Sequence, residues 1–360
     1  MFHLGRIKRT RLMGRGKRAR FMRHIKGAGL ILGLSSLLAV CLPAVAAPDH
    51  YAEEQMRYIA TYFPGRMAGS PAELMAAEYL QRHLAHMGYQ SNLRTFNTRY
   101  QFHGSDGKAD WRKISATSVI AAKSGATGGE ILVIAHSDTF MPRSDSDLNN
   151  NLGGLTLQGV DDNASGVGVM LDLARRLGPV PLAVGVRFVA LSAGEPETLG
   201  AEDYLQRMTP QEKRNTLLVI NLDSLLGGEK LRVDYSPDSG DSRLQGLVKT
   251  LGTRARQSGI PLILNAGLRT SADCMTDALP FAKAGFAVLD VSSGIAENNC
   301  RERKTSRNFP HGMVRYQSPL DNLTYLDHHL TGQMDKRARD SMALLGPLLE
   351  GLTRADKPKE

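Results

Sequence analysis

Four apolar runs, Ile131-Leu-Val-Ile-Ala135, Val186-Arg-Phe-Val-Ala-Leu191, Leu217-Leu-Val-Ile-Asn-Leu222 and Phe286-Ala-Val-Leu-Asp-Val291, restrict what this chain can fold into more than any other feature. Each is short, rich in β-branched residues and bounded by glycine or acid, which suits strands buried on both faces. Helical patterns lie between them. Ser165 to Leu177 places Val167, Val169, Met170, Leu173 and Leu177 at positions suited to a helix, and a long amphipathic run extends from about His328 to Leu352. Before the first run, Ser70-Pro-Ala-Glu73 reads as a capping box with proline at the first helical position, followed by Leu74, Ala77, Leu80 and Leu84 up to Gly88. Strands alternating with helices predict an α/β domain, a mostly parallel, mixed central sheet covered by helices on both sides. Residues 141 to 156 read as a polar loop, and no internal repeat or low-complexity linker divides the chain.

The amino-terminal segment reads differently. Residues 1 to 26 hold ten Lys or Arg and no acid, and an apolar run follows from Gly27 to about Ala46, the pattern of a signal peptide. Ala44-Val-Ala46 supplies a small-x-small cleavage site. The expected organisation is therefore a signal peptide, 1–46, and one exported domain, 47–360, periplasmic or secreted, with Met13 and Met22 as alternative starts. An uncleaved anchor would need the apolar run to span a bilayer. The cleavage site argues against that, so no stable membrane partner is expected afterwards. The formal charge of +9 falls to about −1 without the ten basic residues of the leader. The basic balance thus says nothing about nucleic acid, and no nucleic-acid-binding motif is present. Cys274 and Cys300 remain in the exported part, where an oxidising compartment favours one disulfide between them over two free thiols.

In such a sheet, functional side chains gather at the carboxyl ends of strands. After the first run comes His136-Ser-Asp138, after the second Gly194-Glu195 and after the third Asp223. A further acidic stretch, Asp161-Asp-Asn163, precedes the helix expected to begin near Ala164. One imidazole with several carboxylates is a donor set for zinc or a similar divalent ion. Without a cation, carboxylates buried together would repel and take up protons. Singly, each motif has an ordinary use: a histidine at a strand end hydrogen-bonds, Asp161 and Asp162 cap a helix, Asp223 opens a turn. Repetition at three strand ends and one helix start turns the reading toward a metal.

His136-Ser-Asp138, Gly159-Val-Asp-Asp-Asn-Ala-Ser-Gly166, Val186-Arg-Phe-Val189 leading to Glu195 and Leu199-Gly200, and Asn221-Leu-Asp223 resemble, in order, the signatures of the di-zinc aminopeptidases of metallopeptidase family M28. The resemblance implies a three-layer α/β/α zinc-exopeptidase-like domain. It implies that Asp161 bridges two zinc ions, that His136 and Asp223 complete one site, and that Glu195 binds the other zinc. Asp138 would act behind His136 on its ring, and Asp162 would stiffen the bridging aspartate. The implied reaction is two-metal hydrolysis, in which an acidified water attacks the first peptide bond of a protein or peptide amino terminus and a carboxylate takes the proton. Asp138 and Glu195 are the carboxylates carried over as catalytic. Phe63-Pro-Gly-Arg-Met67 through Arg99-Tyr100, with Gly153 to Gly159, is more specifically similar to one bacterial branch of the family. That similarity implies a preference for a basic terminal residue, arginine in particular, with Glu197, Asp277 and Asp321 as acids able to receive it.

Two positions depart from the family pattern. Anchoring on Leu199-Gly200 puts the family's Glu-Glu pair on Gly194 and Glu195, so the ligand is kept and the general base is replaced by glycine. Losing a positioned base typically costs about 10² to 10⁴ in rate. A shifted register, with Glu195 as base and Glu197 as ligand, would move Gly200 out of its matching place. Near the carboxyl end the family's Tyr-His-x-Pro becomes Tyr316-Gln317-Ser318-Pro319, followed by Leu320-Asp321. Gln317 is a weak ligand beside an imidazole, and His311 is the nearest substitute, with His328 and His329 assigned to the following helix. One tight zinc site and one damaged site are expected. These losses motivate a rival reading, a catalytically impaired protein that binds metal or peptide. They weigh against glutaminyl cyclisation, whose single-zinc relatives rely on the Asp161, Glu195 and Gln317 positions. A Ser/His/Asp hydrolase is disfavoured because no Gly-x-Ser-x-Gly elbow follows an expected strand.

Overall fold

The computed structural model describes residues 49–195, 198–236, 242–268, 276–294 and 319–354. Its first half contains α1 (Tyr51–Tyr62), α2 (Pro71–His86), β1 (Gln90–His103), β2 (Ala109–Lys123), β3 (Glu130–His136), α3 (Asp145–Asn149), a π-helical turn (Val160–Ser165) and α4 (Gly166–Leu177). There follow β4 (Gly185–Leu191), α5 (Leu199–Arg207), α6 (Pro210–Asn215), β5 (Thr216–Leu222), β6 (Lys230–Tyr235) and α7 (Ser242–Gln257). The chain then adds β7 (Leu262–Ala266), α8 (Ala278–Lys283), β8 (Val288–Gly294), α9 (Leu323–His329) and α10 (Gln333–Thr353). Among the described residues no helix is long and apolar enough to cross a membrane.

The apolar runs become strands because both of their faces are covered. On β3, Ile131, Val133 and Ala135 enter one core with α4 and α10, while Leu132 and Ile134 enter a second core with α5 and α8. β4 divides the same way, with Val186, Phe188 and Ala190 on the first face and Val189 and Leu191 on the second. Burying one such side chain contributes about 1.5 to 3 kcal/mol, so a doubly covered strand gains at nearly every position and shows no polar alternation.

Eight strands form one mixed sheet in the order β1-β2-β4-β3-β5-β8-β6-β7. Its centre is parallel, β4 with β3, β3 with β5 and β5 with β8. Antiparallel pairs join β1 to β2, β2 to β4 and β6 to β8. Strands β1, β2, β6 and β7 were not among the apolar runs. The outer half of the β1–β2 hairpin is largely exposed, β6 reads Lys-Leu-Arg-Val-Asp-Tyr, and β7 has five residues.

Chain order then places the site. From β3 the chain crosses by α4, on one face, to β4; from β4 it crosses by α5 and α6, with α5 on the other face, to β5. Connections that diverge in this way leave a crevice at the carboxyl ends of the central strands.

Two local expectations are refined. Ser70 Oγ accepts the Glu73 N–H at 3.1 Å, but the Glu73 carboxylate reaches back to the Gly69 N–H at 2.9 Å rather than to Ser70. It also accepts the Thr117 N–H of β2 at 3.2 Å and the Ser192 hydroxyl beyond β4, tying α2 to the sheet. Burial pushes this carboxyl up to about 8, against the pull of the Thr117 N–H. The amphipathic run at the carboxyl end is two helices, broken before Gly332 at φ 72°, so His328 and His329 close α9 instead of belonging to the long helix.

Candidate active site

His136 is the last residue of β3, Asp223 follows β5, Glu195 lies in the loop after β4, and Asp162 sits in the turn before α4. His136 Nε2 lies 3.0 Å from Asp162 Oδ1 and 3.7 Å from Asp223 Oδ1. Its Nδ1 faces the backbone oxygen of Asp138 at 3.2 Å. Ligand atoms of His136, Asp162 and Glu195 all lie within 4.8 Å of one another. Glu195 is buried, and neither carboxylate oxygen has a hydrogen-bond partner among the described residues. Burial first, then the neighbouring Asp162 charge, holds its carboxyl well above the usual range, although His136 pulls the other way. Burial alone would depress the His136 imidazole; Asp138, Asp162 and Asp223 outweigh it and hold the ring well above its ordinary value.

The two adjacent aspartates face different neighbours. Asp161 Oδ1 accepts the Leu226 N–H at 2.8 Å and Oδ2 the Gly227 N–H at 3.0 Å, so its carboxylate serves the turn after β5. Asp162 meets His136 instead. The reason is local: Asp162 and Asn163 leave helical geometry, at φ −113°, ψ 91° and φ −137°, ψ 41°, so successive side chains diverge. The structure thus places Asp162 beside the imidazole, while the Asp161 carboxylate, expected to bridge, accepts two backbone N–H groups.

Asp138 acts chiefly on the neighbouring loop. Its side chain accepts the N–H groups of Gly194 at 3.0 Å and Glu195 at 3.3 Å, with Oδ1 3.6 Å from His136 Nδ1. Asp321 is likewise committed to backbone, accepting N–H groups from Val160 at 3.0 Å, Asp161 at 2.8 Å and Asp162 at 3.0 Å. That employment removes it from the acids free to receive a basic substrate side chain. Arg66, singled out only within a region of similarity, is fully buried and donates to the carbonyls of Ser137, Gln158 and Gly159, joining the β3 end to the turn that carries Asp162.

Gly194 proves to be more than a missing side chain. A Cβ built there would lie 2.4 Å from His136 Cβ and 2.9 Å from Asp277 Oδ2, so glycine is needed for the loop to pass the imidazole. Sequence reasoning named Asp277 only as a possible acceptor for a basic substrate; it reaches this site from the start of α8. Burial pushes its carboxyl up to about 7, against the pull of His136, with Asp138, Asp223 and Asp290 adding to the rise. Glu197, His311, Gln317, Cys274, Cys300 and the leader, 1–46, lie outside the described residues.

A sequence profile described as peptidase family M28 matches residues 118–342. The chain belongs to peptidase family M28. It is accordingly a hydrolase of the peptidase class. Among related sequences, the alkaline phosphatase isozyme conversion protein of Escherichia coli K12 is 42% identical over 346 residues, covering 93% of this chain and 99% of that protein. The M28 fold is matched by a zinc aminopeptidase from Bacillus subtilis, with a TM-score of 0.64 at 15% identity over 87% of this chain and 98% of that one. A glutaminyl cyclase from Porphyromonas gingivalis matches with a TM-score of 0.61 at 20% identity, covering 84% of this chain and 97% of that one. At such identities both likenesses establish the fold alone. A family whose solved members include zinc enzymes raises the question of fit, and the residues present answer it. The carboxylate oxygens of Glu195, without partners among the described residues, join Asp162 and the His136 imidazole in a donor set suited to zinc.

Proposed function

We propose that this M28 protein is an exported zinc aminopeptidase that removes the amino-terminal residue of proteins or peptides, arginine among them. The observation that carries this reading is Glu195, a buried carboxylate with no partner on either oxygen among the described residues, set against His136 and Asp162. A fold gains nothing from leaving a carboxylate so placed, because an unpaired buried charge costs several kcal/mol or forces protonation. A bound cation removes that cost.

His136, Asp162 and Glu195 would hold one zinc, with Asp223 at the edge of the same cluster. Bound there, zinc would polarise the scissile carbonyl and acidify water. Asp138 keeps the Glu195 loop against the β3 end, while Asp321 and Arg66 brace the turn that presents Asp162. Similarity over nearly the whole length to the isozyme conversion protein, together with the leader read in residues 1–46, supports action on exported polypeptides.

The test is release of the terminal residue from arginyl and leucyl amide substrates by the zinc-loaded protein, beside an Asp162→Ala control. Turnover that disappears in the control supports a metallo-aminopeptidase, and a higher rate on the arginyl substrate supports the basic preference. Equal background in both proteins would replace this reading with the impaired metal- or peptide-binding protein.

A further inference from the structure

We infer that Asp277 is the proton acceptor of this site, standing in from the α8 side for the carboxylate that residue 194 lacks. The assignment rests on the peptidase reading above. Its starting point is the space around Gly194. The direction in which a side chain at 194 would leave the backbone is filled by His136 and by Asp277 Oδ2, the latter 2.9 Å from the Cβ position. A glutamate at 194 has no room without moving the imidazole, while a carboxylate oxygen already lies there from another element.

The usual structural use of an aspartate at this position, helix capping, is absent among the described residues. Asp277 precedes α8 at the N-cap position, yet its side chain makes no capping hydrogen bond. It is buried, and Oδ1 has no hydrogen-bond partner among the described residues. The segment beneath it is nonetheless firmly held. Thr276 Oγ1 donates to Asp290 Oδ1 at 3.0 Å, and Asn221 Nδ2 donates to the same oxygen at 2.9 Å. Asn221 and Asp290 are register partners on β5 and β8, so the floor of the sheet fixes the approach to Asp277. A carboxylate beside the imidazole, with one oxygen unpartnered among the described residues, is free to take up a proton as a general base must.

The step balances without another reactant. As the water oxygen bonds to the carbonyl carbon, Asp277 takes one water proton. When the C–N bond breaks, that proton passes to the departing nitrogen and the carboxylate is restored. The new carboxyl group keeps the second water hydrogen until it ionises.

The experiment compares wild type with Asp277→Asn and Asp277→Gly on leucyl and arginyl amides, alongside zinc titration and a pH profile of kcat. Asp277→Asn should lose about 10² to 10⁴ in kcat, retain zinc affinity, and lose the acid limb of its pH profile. Formate should restore part of the turnover of Asp277→Gly, which a packing role would not allow. A loss below about tenfold with zinc still bound, or zinc affinity lost together with activity, overturns the assignment, as does the absence of formate rescue. Failure of the wider reading is distinguishable: a wild type that binds zinc and hydrolyses neither amide overturns both, whereas an active wild type with an equally active Asn variant overturns only this one.

Discussion

The two ends of the sheet use the same residue types in opposite ways. At the amino end, Arg187 pairs with Glu130 at 3.0 Å and with Glu212 at 2.7 Å, every partner within reach of an opposite charge. At the carboxyl end, Glu195 and Asp277 hold buried oxygens without partners among the described residues, while Asp161 and Asp321 accept backbone N–H groups. The amino-end charges serve folding. The carboxyl-end charges divide into those that shape the loops and those the fold leaves open, and the open, buried groups are the candidates for function.

That division can be broken by substitution. The largest expected effect is at the open groups: Glu195→Gln should weaken zinc binding by more than about 100-fold, exceeding what is usual for residues supporting a ligand. The same variant should unfold at an equal or higher temperature without zinc, because it removes an unpaired buried carboxyl; calorimetry of both forms measures this. If the metal-free variant were clearly less stable, Glu195 would have to be reassigned to the structural group.

Asp321→Ala should act in the reverse sense. Three backbone donors would lose their acceptor, at about 1 to 3 kcal/mol each where no water replaces it, and the loss would appear in urea denaturation. Asp161→Ala should follow with a smaller loss, two donors being orphaned. Either variant matching wild type would show that the turn holds itself.

Glu73 sharpens the comparison through pH. Its carboxyl is raised from 4.5 to about 8 in the folded state, so the folded protein holds a proton that the unfolded chain has released between those values. The stability this provides is complete below about 4.5 and is lost as pH rises through about 8. Relative to wild type, Glu73→Gln should therefore become progressively more stable over that window, by up to about 1.4 kcal/mol per pH unit. A parallel pair of stability curves would remove Glu73 from the titrating groups.

The smallest effect belongs to the amino end. Glu212→Gln, at a half-buried and fully paired site, should change stability by about 1 kcal/mol or less and leave turnover untouched.

Much of this was legible in the chain. The four apolar runs became β3, β4, β5 and β8, because strands covered on both faces need apolar residues at consecutive positions, a pattern that survives without coordinates. The hairpin β1–β2 and the strands β6 and β7 were not, since an exposed or short strand lacks that signature. His136 and Glu195 were singled out as candidates from their places after strands, and the structure brings them close to one another. Which of Asp161 and Asp162 lies beside the imidazole was not readable, because neighbouring identical residues differ only in the direction their backbone gives them. Asp277 stayed a substrate acceptor in sequence reasoning, and the apparent defect at Gly194 stayed a defect, because nothing in the order of residues says that the start of α8 fills the space beside that glycine.

The sequence by itself thus determined the α/β class, the covered central strands, the family and the strand ends where carboxylates collect, all consequences of local periodicity and of short motifs. Only the tertiary structure decided which carboxylates face one another, which are consumed by backbone N–H groups and which stay open. Those outcomes depend on distances between segments tens to hundreds of residues apart, set by packing that no local pattern encodes.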